Sequence, residues 1–193
     1  MTGEVVRIVL EGHLVRDGAR VVDASSTVTL VEAAGMKILV DSGKASERKA
    51  LLRSISGLGV DPDDINIVVN THLHADHCGG NDLFASAKVY AHAAENPPAG
   101  SIRVAQEMVL ARNVALVPTP GHTLGCLSVF VRADRKYAIA GDALPTKENY
   151  DAHAPPSVNV DPRLALRSMD AIVAFADVVV PGHGGPFEVL GKK

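Results

Sequence analysis

Five apolar runs in this chain each end on a polar residue suited to chemistry, and that recurrence limits the folds open to it. Leu39-Val40 is followed by Asp41, the run at 65–69 leads into a histidine cluster at 72–77, Val117 leads to His122, Ile139 to Asp142 and Val179 to His183. In layered α/β proteins, sites form beyond the carboxyl ends of strands, so residues far apart in the chain can meet at one edge. Pro120-Gly121-His122 and Pro181-Gly182-His183 repeat one local solution: a stiff proline, then a glycine that lets the backbone turn and aim an imidazole.

The densest of these ends is Thr71-His72-Leu73-His74-Ala75-Asp76-His77-Cys78-Gly79-Gly80. A histidine placed for packing usually stands alone, and a solvated loop favours Lys, Glu, Ser or Gly, so three imidazoles and a carboxylate in so few residues read as a metal site. If the chain leaves the strand extended, His72 and His74 point to one side. Asp76 and His77 are adjacent and cannot both share that direction, which suits a second ion beside the first. Gly79 and Gly80 are read as the freedom needed for a tight turn into a helix start.

The 193 residues are read as one domain, 1–193, and their 47% hydrophobic content supports a globular core. A net charge of −3 gives no basic footprint for nucleic acid. Cys78 and Cys126 are too few for a disulfide framework, and residues 1–4 lack the basic and apolar regions of a signal peptide, so the expected compartment is the cytoplasm. The apolar runs fall far short of the roughly twenty residues that span a bilayer.

Periodicity and turn signals predict strands at 5–10, 27–33, 36–40, 65–69, 87–91, 107–110, 114–117, 127–131, 137–140 and 177–180, with an edge at 187–190. Helical spacing covers 46–56, stopped by Gly57 and Gly59. Asp61-Pro62 opens a short turn, and Asp161-Pro162 opens a helix whose Ala165, Met169, Ile172, Val173 and Ala176 face the core. Residues 11–26, with Asp17-Gly18 at the tip, and residues 144–160 carry no such pattern. They read as polar segments that fold over the metal site and set specificity.

The set His72-x-His74-x-Asp76-His77, His122, Asp142 and His183, with Leu39-Val40-Asp41-Ser42-Gly43 upstream, resembles the metallo-β-lactamase superfamily over nearly the whole chain. The stretch from Ala176 to Gly184 is most similar to the small single-domain members related to the vertebrate histone pre-mRNA processing protein. The resemblance implies an α/β fold, the four-layer αββα sandwich, with a metal site at one edge of its two sheets. It implies one ion on His72, His74 and His122, a second on Asp76, His77 and His183, and Asp142 bridging. Zinc, two per chain, suits that donor set, with iron or manganese as alternatives. A metal-bridged hydroxide would attack, with Asp76 orienting it and protonating the leaving group. The local formal charge is then about +1, so the expected partner is a small-molecule or short anionic substrate and not a membrane, with nucleic acid the less favoured partner. A homodimer is the alternative to a single copy.

Asp41 is read as accepting a proton from a ligand histidine or tying loop backbone, with a helix-entry cap as the plainer alternative. Cys78 reads as a small buried residue before it reads as a ligand, and Cys126 as core. His92 reads as a surface or supporting histidine, and Lys147, Tyr150 and His153 as substrate contacts. The expected activity is hydrolysis of an ester, thioester, lactone or phosphodiester. The alternatives are a mononuclear iron oxidoreductase of the sulfur dioxygenase kind and a single-stranded RNA nuclease. Position 77 is His and position 142 is Asp, where the commonest zinc β-lactamases carry Arg and Cys, which argues against a dedicated antibiotic-cleaving role. A helical domain of the kind with which glyoxalase II-like enzymes grip glutathione is not expected, nor is the domain inserted in RNA-processing relatives, since only sixty residues bridge His122 and His183.

Overall fold

The computed structural model describes residues 3–18 and 20–191. After β1 (Val5–Leu10), the strands β2 (His13–Asp17) and β3 (Arg20–Ser25) form a separate hairpin, followed by β4 (Val28–Ala33) and β5 (Met36–Val40). With β6 (Ile67–Val69), β7 (Lys88–His92) and β8 (Ile102–Val104) they build a first sheet in the order β1-β4-β5-β6-β7-β8. The second sheet is formed by β9 (Met108–Ala111), β10 (Val114–Pro118), β11 (Leu127–Arg132), β12 (Lys136–Gly141), β13 (Val178–Pro181) and β14 (Phe187–Glu188), in the order β14-β13-β12-β11-β10-β9.

The strands read as nearly continuous apolar runs because both faces are covered. Ile38, Val40, Ile67 and Val69 point inward, against Leu116, Val129, Ile139 and Val180 of the second sheet. Their neighbours Leu39 and Val68 point outward, onto Leu51 and Ile55 of α1 (Arg48–Gly57) and onto Phe84. On the far side, Ala138, Ala140 and Val179 point outward onto Met169 and Ile172 of α4 (Pro162–Phe175) and onto Ala176. The two-residue alternation of a strand thus sends each run into two cores at once, and the layers follow as helix, sheet, sheet, helix: the αββα sandwich. Each such Leu or Ile contributes roughly 1.5 to 3 kcal/mol by burial.

Both Asp-Pro pairs open helical turns. Asp61 accepts from Asp63 N and Asp161 accepts from Arg163 N and Leu164 N, with the proline at the first position, where no donor is lost. Residues 144–160 are not patternless. They carry α3 (Lys147–Ala152), capped by Thr146; none of its residues is buried, so there is no apolar stripe to read. Residues 11–26 are the β2–β3 hairpin, and β8 is too short to signal itself. Gly79 and Gly80 follow the helical turn α2 (Ala75–Cys78) and have φ of −68° and −108°, so they supply no unusual conformation. They are small because a Cβ there would overlap Ala45 N and Ser42 O. No helix among the described residues is long and apolar enough to cross a membrane.

The hairpin is clamped on its outer face. Lys44 Nζ lies 2.6 Å from Asp23 Oδ1, His13 Nε2 lies 2.9 Å from Asp23 Oδ2, and Lys44 N donates to Ser25 Oγ. Lys44 first, and His13 after it, hold the Asp23 carboxyl at about 2, below the ordinary 3.8. A depressed carboxylate contributes above its unfolded pKa and stops contributing as pH falls through the folded one. Amide protection in residues 13–17, taken relative to the intrinsic exchange rate, is therefore expected to fall as pH drops from about 3.8 to about 2, and to be lower already at neutral pH in Asp23→Asn. Equal neutral-pH exchange in the two proteins, followed by mass spectrometry, would contradict the clamp.

Candidate metal centre

All five loops that leave the strand ends named by the sequence converge. Asp41 follows β5 with φ of +58°, His72 to His77 follow β6, His122 follows β10, Asp142 follows β12 and His183 follows β13. In the first Pro-Gly-His, Gly121 has φ of +141° and packs against Ala165 of α4, where a Cβ would collide. In the second, a Cβ on Gly182 would overlap Asp142 Oδ1. Backbone bonds stitch the two sheets together around these turns, Leu127 N donating to Thr71 O at 2.7 Å and Thr27 N to Gly182 O at 2.7 Å, while Ser26 N donates to Asp76 O at 3.0 Å within the first-sheet half.

The imidazoles are oriented by acceptors on their outer nitrogens. His122 Nδ1 donates to Val158 O at 2.6 Å and His183 Nδ1 to Ser25 O at 2.9 Å. A carbonyl can only accept, so those nitrogens carry the proton and Nε2 presents a lone pair inward. His77 Nδ1 lies 2.8 Å from Asp41 Oδ2. The other bonds of Asp41 come from Thr71 N and Thr71 Oγ1, both at 2.8 Å. Because the Thr71 hydroxyl gives its hydrogen to Asp41, it accepts from His72 Nδ1 at 3.3 Å. One buried carboxylate, 2% exposed, thereby fixes the tautomer of two histidines and the backbone between them. His74 turns its Nδ1 inward instead.

Inside this shell, His72 Nε2 and His122 Nε2 each stand 3.0 Å from His74 Nδ1. Asp142 Oδ1 lies 3.3 Å from His77 Nε2 and 3.2 Å from His183 Nε2, while its Oδ2 lies 3.5 Å from His122 Nε2. Asp76 Oδ2 is 3.8 Å from both His77 Nε2 and His183 Nε2. The donor atoms gather into three compact groups, His72/His74/His122, His72/His77/Asp142 and Asp76/His77/His183. His77 Nε2 and Asp142 Oδ1 are buried without a hydrogen bond. Buried, unbonded donor atoms with their lone pairs aimed at one another fit divalent cations and little else.

Protonation tendencies agree with that fit. Burial, with the charge of His77 next, pushes His72 well below the usual imidazole range, leaving it neutral, as a ligand must be. Burial alone would raise Asp142, but His77 and His183 outweigh it and keep the carboxyl far below its ordinary value. Burial likewise opposes a proton on His77, yet Asp41 and Asp142 on its two sides raise it well above the ordinary range. A proton and a cation compete for that Nε2.

A cleft of about 210 Å³ opens onto His74, Asp76, His122, Asp142 and His183. Both unpatterned segments line it, the hairpin through Leu14, Arg16, Val21 and Ala24, and residues 144–160 through Pro145, Pro156, Ser157 and Val158. Lys147, Tyr150 and His153 are placed elsewhere. Lys147 pairs with Asp151 along α3, the Tyr150 ring lies against Phe187 while its hydroxyl accepts from Leu190 N, and His153 pairs with Asp170 at the surface. Folding of α3 turns Tyr150 toward β14 and leaves His153 at α4, while Lys147 is held by Asp151 on the exposed face of the helix itself. His92 accepts from Ala94 N away from the centre. Cys78 is half-buried, its thiol directed at His74 O, and Cys126, just before β11, is buried, its thiol pushed up to about 12 by that burial.

Glu95 is the supporting residue that sequence reasoning missed. Its Oε2 accepts from Leu73 N at 3.0 Å, between His72 and His74, and its Oε1 accepts from Thr123 Oγ1 at 2.7 Å, beside His122. It ties together the loops that bring three inward nitrogens from two sheets.

The family model of the metallo-beta-lactamase superfamily matches residues 21–183, and the chain belongs to that superfamily of metallohydrolases. It is 33% identical to a probable metallo-hydrolase of Methanocaldococcus jannaschii over 96% of this chain and 90% of the relative. It is 32% identical to metallo-beta-lactamase domain-containing protein 1 of Xenopus laevis over 96% of this chain and 82% of that one. Two solved structures share the fold. A candidate metallo-beta-lactamase of Thermotoga maritima has a TM-score of 0.81 at 24% identity, covering 96% of this chain and 99% of its own. The Bacillus thuringiensis lactonase AiiA with N-decanoyl-L-homoserine bound has a TM-score of 0.75 at 21% identity, covering 95% and 94%.

Because Glu95 touches no candidate ligand directly, its removal is expected to act through position alone. Glu95→Ala should weaken divalent-metal affinity by about ten- to a hundredfold in a chelator competition, with Glu95→Gln in between. Unchanged affinity in Glu95→Ala would contradict the role.

Proposed function

We propose that this chain is a hydrolase of a carboxylic ester bond in a small molecule, a lactone foremost, working with two zinc ions. The observation that carries the reading is the placement of Asp142, one oxygen facing His77 and His183 and the other facing His122. A carboxylate so placed suits two adjacent ions, whereas a single iron needs only one donor set. Likeness to a lactonase that holds an acyl homoserine favours the lactone among the ester-like bonds. The cleft, about 210 Å³ with Arg16 as its cation, suits a small molecule better than an RNA strand, which needs a run of cations and stacking rings.

His72, His74 and His122 would hold one ion and Asp76, His77 and His183 the other. Bound divalent cations supply Lewis acidity toward a carbonyl oxygen and lower the pKa of water held there. The remaining work belongs to the chain. Asp76, partly exposed to the cleft, takes a proton from the attacking water and returns it to the departing oxygen. Leu14, Val21, Ala24, Pro145 and Pro156 limit access of bulk water.

Protein purified without added metal is expected to carry about two zinc per chain and to hydrolyse N-acyl lactones or aryl esters. Asp76→Asn keeps an oxygen at the site but cannot carry the proton, so kcat should fall by about 10²- to 10⁴-fold with metal content retained. One iron per chain with oxygen uptake on a persulfide would contradict the proposal and favour an oxidoreductase.

A further inference from the structure

The cleft wall opposite the candidate ligands is apolar except at one point. Leu14 and Arg16 stand two apart on β2 and share a face, joined by Val21 and Ala24 of β3; across from them lie Pro145, Pro156, Ser157 and Val158. Arg16 brings the wall's positive charge. Its Nη2 donates to Ser157 Oγ at 2.7 Å, a neutral hydroxyl on the facing segment. Among the described residues no carboxylate forms an ion pair with it, so its charge is open to a ligand. A second hollow, lined by Thr146, Glu148 and Asn149, begins on the other side of the same Arg16 and Ser157.

Arg16 is exposed at the mouth of the cleft, so beyond the one hydroxyl its fork of donors faces water between apolar walls and beside a reaction site, where a ligand oxyanion can replace that water. Exchanging a neutral hydroxyl for an oxyanion converts an ordinary hydrogen bond into a charge-assisted, bidentate one. The same hydrogen bond ties the hairpin to the 156–158 segment, so a ligand that takes it over enters between the two. We propose that Arg16 is the specificity-determining residue of the cleft and that the substrate carries an oxyanion, a carboxylate or a phosphate, on an apolar arm distant from the bond that is broken. This rests on the hydrolase reading above and narrows its substrate to anionic esters or lactones. The wall selects for both features, since the arm covers Leu14, Val21 and Val158 while the anion reaches the guanidinium.

The test is binding, so it needs no turnover. Zinc-loaded protein is titrated by calorimetry or by amide shifts with glutarate, with 3-phosphonopropionate and with the matched monoacid pentanoate. The native chain is expected to bind at least one diacid about tenfold tighter than pentanoate, the stronger of the two naming the oxyanion. Arg16→Ala should bring that ratio close to one, and Arg16→Lys, a point charge without the fork, should keep part of it. Equal binding of all three acids by the native chain, or a ratio that survives Arg16→Ala, would overturn the assignment. The diacid preference without hydrolysis of any ester or lactone would sink the hydrolase reading alone. Hydrolysis without the preference would sink this inference alone.

Discussion

His74 Nδ1 stands 3.0 Å from both His72 Nε2 and His122 Nε2 and has at most one hydrogen to share between them, and a buried carboxylate oxygen without a hydrogen bond costs several kcal/mol. This chain brings His72, His74 and His122 to that separation and buries Asp142 next to them. Attraction among these groups does not explain the arrangement. It is imposed by the outer contacts, in which Val158 O, Ser25 O, Asp41 and Thr71 hold four outward nitrogens so that four Nε2 atoms point inward. Cations at the centre would give every inward donor a partner, and the rest of the site serves to keep those donors aimed.

The scaffold can bear that strain because it is stiff where the loops begin. Four of the contributing strands, β5, β6, β12 and β13, lie between the inter-sheet core and an outer helix, while β10 buries its inward Val114 and Leu116. The loops are then crossed by short backbone bonds between halves of the chain, and Glu95 joins the Leu73 backbone to the Thr123 hydroxyl, on loops that leave separate sheets. On the proposed function, substrate selection falls to the cleft lining that the hairpin and the facing proline-bearing segment provide. A superfamily built this way can keep its metal chemistry while altering what enters the cleft.

The sequence carried the strand ends and the donor set plainly, because strands buried on both faces make long apolar runs and a dense cluster of histidines has few other uses. Local punctuation was equally plain at Asp61-Pro62 and Asp161-Pro162. Legibility failed where structure rests on distance. Glu95 acts on Leu73 and Thr123 from 22 and 28 positions away, and no local pattern marks a side chain for such a bond. Helix α3 has no buried face, so Lys147, Tyr150 and His153 looked available as loop contacts when helical packing commits them elsewhere. Leu14, Arg16 and Val21 were lost in a hairpin whose alternation is blurred by exposure on both sides and by the register shift between Val15 and Arg16.

The central claim is that these side chains are arranged around two cations. Anomalous diffraction at the zinc edge from crystals grown with zinc tests it most directly. The account predicts two peaks, one among His72, His74 and His122 and the other among Asp76, His77 and His183, with Asp142 between them. A single peak at saturating zinc, or peaks that avoid either group, would contradict it.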